Sequence, residues 1–158
     1  MVRKIVLGLV AVFVLIQLVP YGRNHANPPV TREPQWNSVE TRATFERACG
    51  DCHSHATTWP WYSHVAPVSW LVQHDVDEAR ANFNVSTVVS HDEGHESAEE
   101  VLEGKMPPRI YLVAHPEARL SDAEKKAFAI GLDATFGRDR ARGEESEGEL
   151  GEKSGYLD

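Results

Sequence analysis

Within five residues, Cys49-Gly50-Asp51-Cys52-His53 gathers two thiols and an imidazole, and these are the only 2 cysteines of the chain. With no second pair there is no disulfide framework, so the cysteines serve local chemistry. On a helical turn, positions i, i+3 and i+4 face the same way. Cys49, Cys52 and His53 can therefore grip one object together. Three chemistries share a Cys-x-x-Cys core. A thioredoxin-like dithiol needs a βαβ setting, which this chain lacks. A zinc site needs further ligands, and His55, His64 and His74 stand at spacings that match no common zinc module. The full Cys-x-x-Cys-His string is the attachment sequence of haem c. It predicts one covalently bound haem, with Cys49 and Cys52 on its two vinyl groups and His53 as an axial ligand of the iron.

A haem that carries electrons takes a second axial ligand, and a thioether is a common one. Met1 and Met106 are the only methionines. Met106 lies in Gly104-Lys105-Met106-Pro107-Pro108, a stiff loop that can present the side chain, and its distance along the chain leaves room for two helices to wrap the ring. Met106 is therefore expected on the iron, with His64, His74 and His115 as competitors. His55 is too near His53 to reach the opposite face. The pair His91 and His95, flanked by Asp92 and Glu96, is expected on a solvated surface, where it could hold an adventitious metal. Trp59, Pro60, Trp61, Tyr62 and Trp70 are expected to wall a large apolar ring, with an indole N–H or phenol O–H available to a haem propionate.

The elements that must position these groups read as helices. Arg3 and Lys4 precede an apolar run from Ile5 to Val19, the charge pattern of an exported segment. Residues 1–21 are expected to form an uncleaved signal-anchor helix across the inner membrane, with a cleaved periplasmic form as the alternative. Residues 22–36, rich in Pro and Asn, read as an extended linker leading away from the membrane. The domain comes next, at 37–137. Its first helix is capped by Asn37 or Ser38 and runs to about Cys49. A second covers Ser69 to Asn82, with Val72, Val76, Ala79 and Phe83 on the inner face and Asp75, Asp77, Glu78 and Arg80 on a solvated one. A third covers Asp92 to Leu102, weakened by Gly94. The last runs from Ser121, boxed by Glu124, to Phe136 and stops at Gly137, with Ala127, Ile130 and Ala134 as its apolar stripe. No run alternates with period two, so the fold class is all-α.

The net charge of −8 argues against nucleic acid as a partner. Part of that charge sits in 138–158, where Glu144, Glu145, Glu147, Glu149 and Glu152 are interleaved with glycines; this tail is expected to be disordered.

Taken together, Pro20-Tyr21-Gly22-Arg23-Asn24-His25, Asn27-Pro28-Pro29, Trp59 to Ser63, Ala66 to Trp70, Gly104 to Pro108 and His115 to Ser121 resemble the bacterial haem-binding domain family of class I cytochrome c-like proteins, many of them membrane-anchored. The resemblance covers about Gln17 to Gly137. It implies His53 and Met106 as the axial pair, and a core in which the first helix crosses the last, with Phe45 meeting Phe128, Leu132 or Phe136. His55 departs from the pattern, in which Asn is commoner. The expected role is a periplasm-facing electron carrier rather than an enzyme, exchanging electrons with a redox donor and an acceptor. A haem sensor or peroxidase-type module, with Met106 displaced, is the alternative.

Overall fold

The computed structural model describes residues 1–136. Gly137, the acidic segment 138–158 and the side chain of His91 lie outside the described residues. Within that range the chain is all-helical: α1 (Val2–Ile16), α2 (Val39–Ala48), α3 (Gly50–His53), α4 (Val68–Asn82), α5 (His91–Leu102), α6 (Tyr111–Ala114) and α7 (Asp122–Phe136), with short 3-10 turns at Trp61–His64 and Pro116–Ala118.

Helix starts obey local side-chain chemistry. Ser38 caps α2 by accepting the Thr41 N–H at 3.1 Å, and Glu40 lies in the first turn. A reciprocal box opens α5, where Ser90 Oγ accepts the Glu93 N–H and Glu93 accepts the Ser90 N–H. Ser121 and Glu124 repeat the arrangement ahead of α7.

The core is aromatic and aliphatic: Phe45 from α2, Phe83 after α4, Val101 from α5, and Phe128, Leu132 and Phe136 from α7. Two glycines set how closely the helices meet. A Cβ on Gly94 would overlap the Phe136 side chain, so α5 approaches α7 only because that position is bare. Gly94 thus serves the packing of α5, which runs unbroken from His91. A Cβ on Gly131 would likewise overlap Thr41, which is how α2 comes to lie against α7.

Three expectations from the sequence are corrected by the fold. The inner stripe of α7 is Phe128, Gly131, Leu132, Thr135 and Phe136; Ala127 and Ala134 are exposed, and Ile130 is 69% exposed. The phenylalanines and Leu132, four residues apart, bring more apolar area to one face than the alanines do, and the helix turns accordingly. Arg80 is held on the domain by polar contacts rather than standing on a solvated face. The predicted 1–21 span is shorter than expected: α1 has 15 residues, a rise of about 22 Å at about 1.5 Å per residue against a hydrocarbon core of about 30 Å. No helix among the described residues is long and apolar enough to cross a membrane. The reason is local. Gln17 commits its amide to the domain, donating to the Ala66 carbonyl and accepting the Ala66 N–H, each at 2.9 Å, and Pro20 lacks the N–H to continue the helix.

The α2–α7 approach gives the first test. Gly131→Ala is expected to lower stability by about 1–3 kcal/mol through overpacking against Thr41. In thermal or denaturant unfolding, adding Thr41→Ala should recover part of that loss despite removing its own contacts. Additive losses would show that α2 and α7 do not meet there.

Candidate functional site

The Cys-x-x-Cys-His segment begins where α2 ends. Cys49 donates its N–H to the Phe45 carbonyl at 2.8 Å, and its own carbonyl accepts from Cys52 at 3.1 Å and His53 at 2.9 Å, so α3 is a single turn pivoting on Cys49. Ser54 closes it by donating its hydroxyl to the Gly50 carbonyl at 2.6 Å. Both thiols are free. Cys49 leans on the aromatic core, and burial pushes its thiol up to about 12. Burial and the neighbouring Asp51 carry Cys52 to about 11. Both are therefore neutral thiols at about pH 7.

His53 is oriented by the residues that succeed α4. Its Nδ1–H donates to the Phe83 carbonyl at 2.8 Å, and the His53 carbonyl accepts the Val85 N–H at 3.0 Å. Burial lowers its pKa, with the Phe83 and Ala79 carbonyls acting against that shift. A neutral imidazole with Nδ1 protonated has its lone pair on Nε2, the atom available to a metal. His55 is placed quite differently. Its Nδ1–H donates to the Pro29 carbonyl at 2.9 Å and its Nε2 accepts from Asn84 at 2.8 Å, so both nitrogens are spent on the fold.

Residues 22–36 carry neither helix nor strand and are fastened along the domain. Gly22, at φ +74°, lies against the Ser69 carbonyl, where a side chain would collide. Asn27 donates to the Thr57 carbonyl at 3.0 Å, and the N–H groups of Thr31 and Arg32 share the Ser86 carbonyl. Arg80 closes the arrangement by donating to the Ser54 carbonyl, Thr57 Oγ1 and Asn27 Oδ1.

A cavity of about 60 Å³ opens beside Cys52, lined among others by Asp51, Tyr62, Val72, Val76, Tyr111 and His115. Its polar walls are paired with one another. Tyr111 donates to Asp51 at 3.1 Å; Tyr62 donates to His115 Nε2 at 2.6 Å, and His115 Nδ1–H donates to Glu117 at 3.2 Å. Burial and the Asp51 charge raise the pKa of both tyrosines, so they remain phenols.

Met106 is half-buried and leans on the same aromatic core as Cys49, its N–H bonded to the Glu100 carbonyl at 3.2 Å. Of its competitors, His115 has both nitrogens engaged. His74 stands 64% exposed beside Asp75 and Glu78. His64 is exposed and sets its ring edge-on to His25 at 4.3 Å. His95 bonds to Asp133 at 3.1 Å, and no group of three or more His, Cys, Asp or Glu side chains among the described residues is arranged to hold a metal ion. Of the aromatic residues expected to form a wall, Trp61 is 79% exposed.

A family model described as a haem-binding domain matches residues 11–133. The chain belongs to this family. No curated protein and no solved structure matches it. Membership supports haem as the cofactor, and the donor set fits that group: two thiols and an Nε2 lone pair issue from one turn, with the imidazole's other nitrogen fixed by a carbonyl. The sequence did not single out Tyr111, Asp51 or the carbonyl of Phe83. The first two carried no distinctive spacing, and a backbone acceptor has no residue signature at all.

The role of Arg80 can be tested directly. Arg80→Met keeps much of the side-chain volume but removes three hydrogen bonds, two of them part-buried. It is expected to cost about 1–3 kcal/mol and to free residues 22–36. Limited trypsin digestion should then cut faster after Arg23 and Arg32. An unchanged cleavage rate would show that the segment is held by other contacts.

Proposed function

We propose that this family member carries one haem c, covalently attached through Cys49 and Cys52 and ligated by His53 and Met106, and that it transfers electrons on the exported side of the cell membrane. The observation that carries the reading is the His53 Nδ1–H bond to the Phe83 carbonyl, which reserves Nε2 for iron on the same turn that presents both thiols. When bound, the haem supplies one-electron chemistry; the chain's part is to attach it, fix its axial ligands and exclude water.

Met106 is supported as the second ligand by its place on the apolar cluster that also bears Cys49, and by the engagement or exposure of the competing histidines. Two strong-field ligands close the iron to substrates, which suits electron transfer between a donor and an acceptor protein better than catalysis. The exported location is supported by Arg3 and Lys4 ahead of the apolar α1. On that helix Ile5, Leu9 and Phe13 are all exposed, which favours membrane attachment at this end even though α1 alone is too short to span. The alternative, a haem sensor or peroxidase-type module, requires Met106 to be displaced from the iron.

Two measurements test these assignments. If the attachment is covalent, haem stays with the polypeptide through denaturing electrophoresis and acid–solvent extraction, and replacing Cys49 and Cys52 together by Ala releases it. Freely extracted haem from the unmutated protein would end the c-type reading.

The sixth ligand and the role are tested together. Ferric protein should show the weak sulfur-to-iron charge-transfer absorption, and Met106→Ala should abolish it, lower the reduction potential and let the ferrous form bind carbon monoxide. Rapid carbon monoxide binding by unmutated protein would shift the assignment to a sensor or peroxidase.

A further inference from the structure

Two contacts lay residues 17–22 along the start of α4. Gln17 bonds to both polar groups of the Ala66 backbone at 2.9 Å, and Gly22 presses on the Ser69 carbonyl. Between these contacts the apolar side chains are left in the open: Leu18 is 72% exposed, and Val19 and Tyr21 are exposed as well. On the segment they lie against, Val68 is exposed and Leu71 is 49% exposed, and their spacing of three puts them on one face of α4. Lone exposed apolar residues are ordinary. Here two segments held together bring five of them to one neighbourhood, at the C-terminal end of a helix whose own apolar residues are exposed.

What could cover this surface is limited by its chemistry. No Asp, Glu, Lys or Arg occurs from Ile5 to Gly22 or from Cys52 to His74, in a chain whose net charge is −8. The one amide at the neck is turned inward, since Gln17 spends its oxygen on the Ala66 N–H and its nitrogen on the carbonyls of Phe13 and Ala66. It is satisfied without water, as apolar surroundings require. Of the five side chains only Tyr21 carries a polar atom, and a phenol with one apolar and one wet end suits the headgroup level of a bilayer. A protein partner would find almost nothing here to hydrogen-bond, although protein interfaces carry about one hydrogen bond per 100–200 Å². The length of α1 points the same way. It rises about 22 Å against a hydrocarbon core of about 30 Å, and an apolar stem shorter than the core draws the residues that flank it toward the lipid.

We infer that Leu18, Val19, Tyr21, Val68 and Leu71 form a lipid-facing collar, on which the head rests in the bilayer interface with the first turn of α4 against the membrane. The inference rests on the membrane attachment read for α1 above and adds a surface of the head which that reading does not use.

The test places the haem-loaded full chain in phosphatidylcholine vesicles doped with a photoactivatable diazirine lipid, and locates the lipid adducts by mass spectrometry. Adducts are expected on α1 and also on Val68 and Leu71, while the exposed Ile130 on α7 takes none. Leu71→Asp should lower the adducts on Val68 about tenfold, because a carboxylate is costly to hold at a lipid boundary, and leave those on α1 in place. Labelling of α1 with Val68 and Leu71 unlabelled would overturn the inference, as would a Leu71→Asp pattern equal to the parent's. Crosslinks joining Val68 or Leu71 to another chain would also overturn it, by showing that a second copy covers the collar. Absence of adducts from α1 as well would remove the attachment reading itself, and the inference with it. Should Leu71→Asp fail to fold, the adduct pattern of the unmutated protein still decides.

Discussion

One constraint organises this molecule: an imidazole can offer one nitrogen to a metal in a fixed direction only if the other is tied down. His53 meets it with a backbone carbonyl at the end of α4. A carbonyl can be aimed only by fixing the chain that carries it, so the stretch from Phe83 to Ser86 is bound on several sides. Val85 donates to His53, Ser86 Oγ accepts from His55, and the Ser86 carbonyl receives Thr31 and Arg32. Phe83 itself is buried against Phe45 and Phe136, at ring separations of 6.2 and 5.5 Å. The aromatic core of the domain and the orientation of its candidate ligand are therefore a single packing problem.

Electrostatics divide the site in a consistent way. Burial keeps both thiols and His53 neutral. Asp51, the charge closest in sequence, is held by Tyr111 and by the Thr58 N–H at 2.8 Å. Its negative charge is thereby kept on one wall of the cavity.

Much of the helical plan was legible in the sequence because it rests on local chemistry. Ser38, the Ser121–Glu124 box, and the helical recurrence of Val72, Val76 and Phe83 each act within a few residues of themselves. Cys49 to His53 was legible for the same reason. The features that escaped depend on distant partners. Gly94 reads as a weak point until Phe136 is seen to need its space. Ile130 reads as core until Phe128 and Leu132 claim the inner face. Arg80 reads as surface until three acceptors from two other segments converge on it.

The junction at Gln17 has a mechanical consequence. A side-chain amide that both donates to and accepts from one backbone residue resists rotation about the axis joining the two, in the way that a paired hinge pin resists a swivel. Gly22 is wedged against α4 a few residues later, so the helical stem and the globular head turn together. Whatever surface receives α1 therefore fixes which side of the head faces outward. If α1 rests on a surface, the head presents a constant face to it rather than swinging on a tether. A single amide at the neck sets the bearing of the entire head.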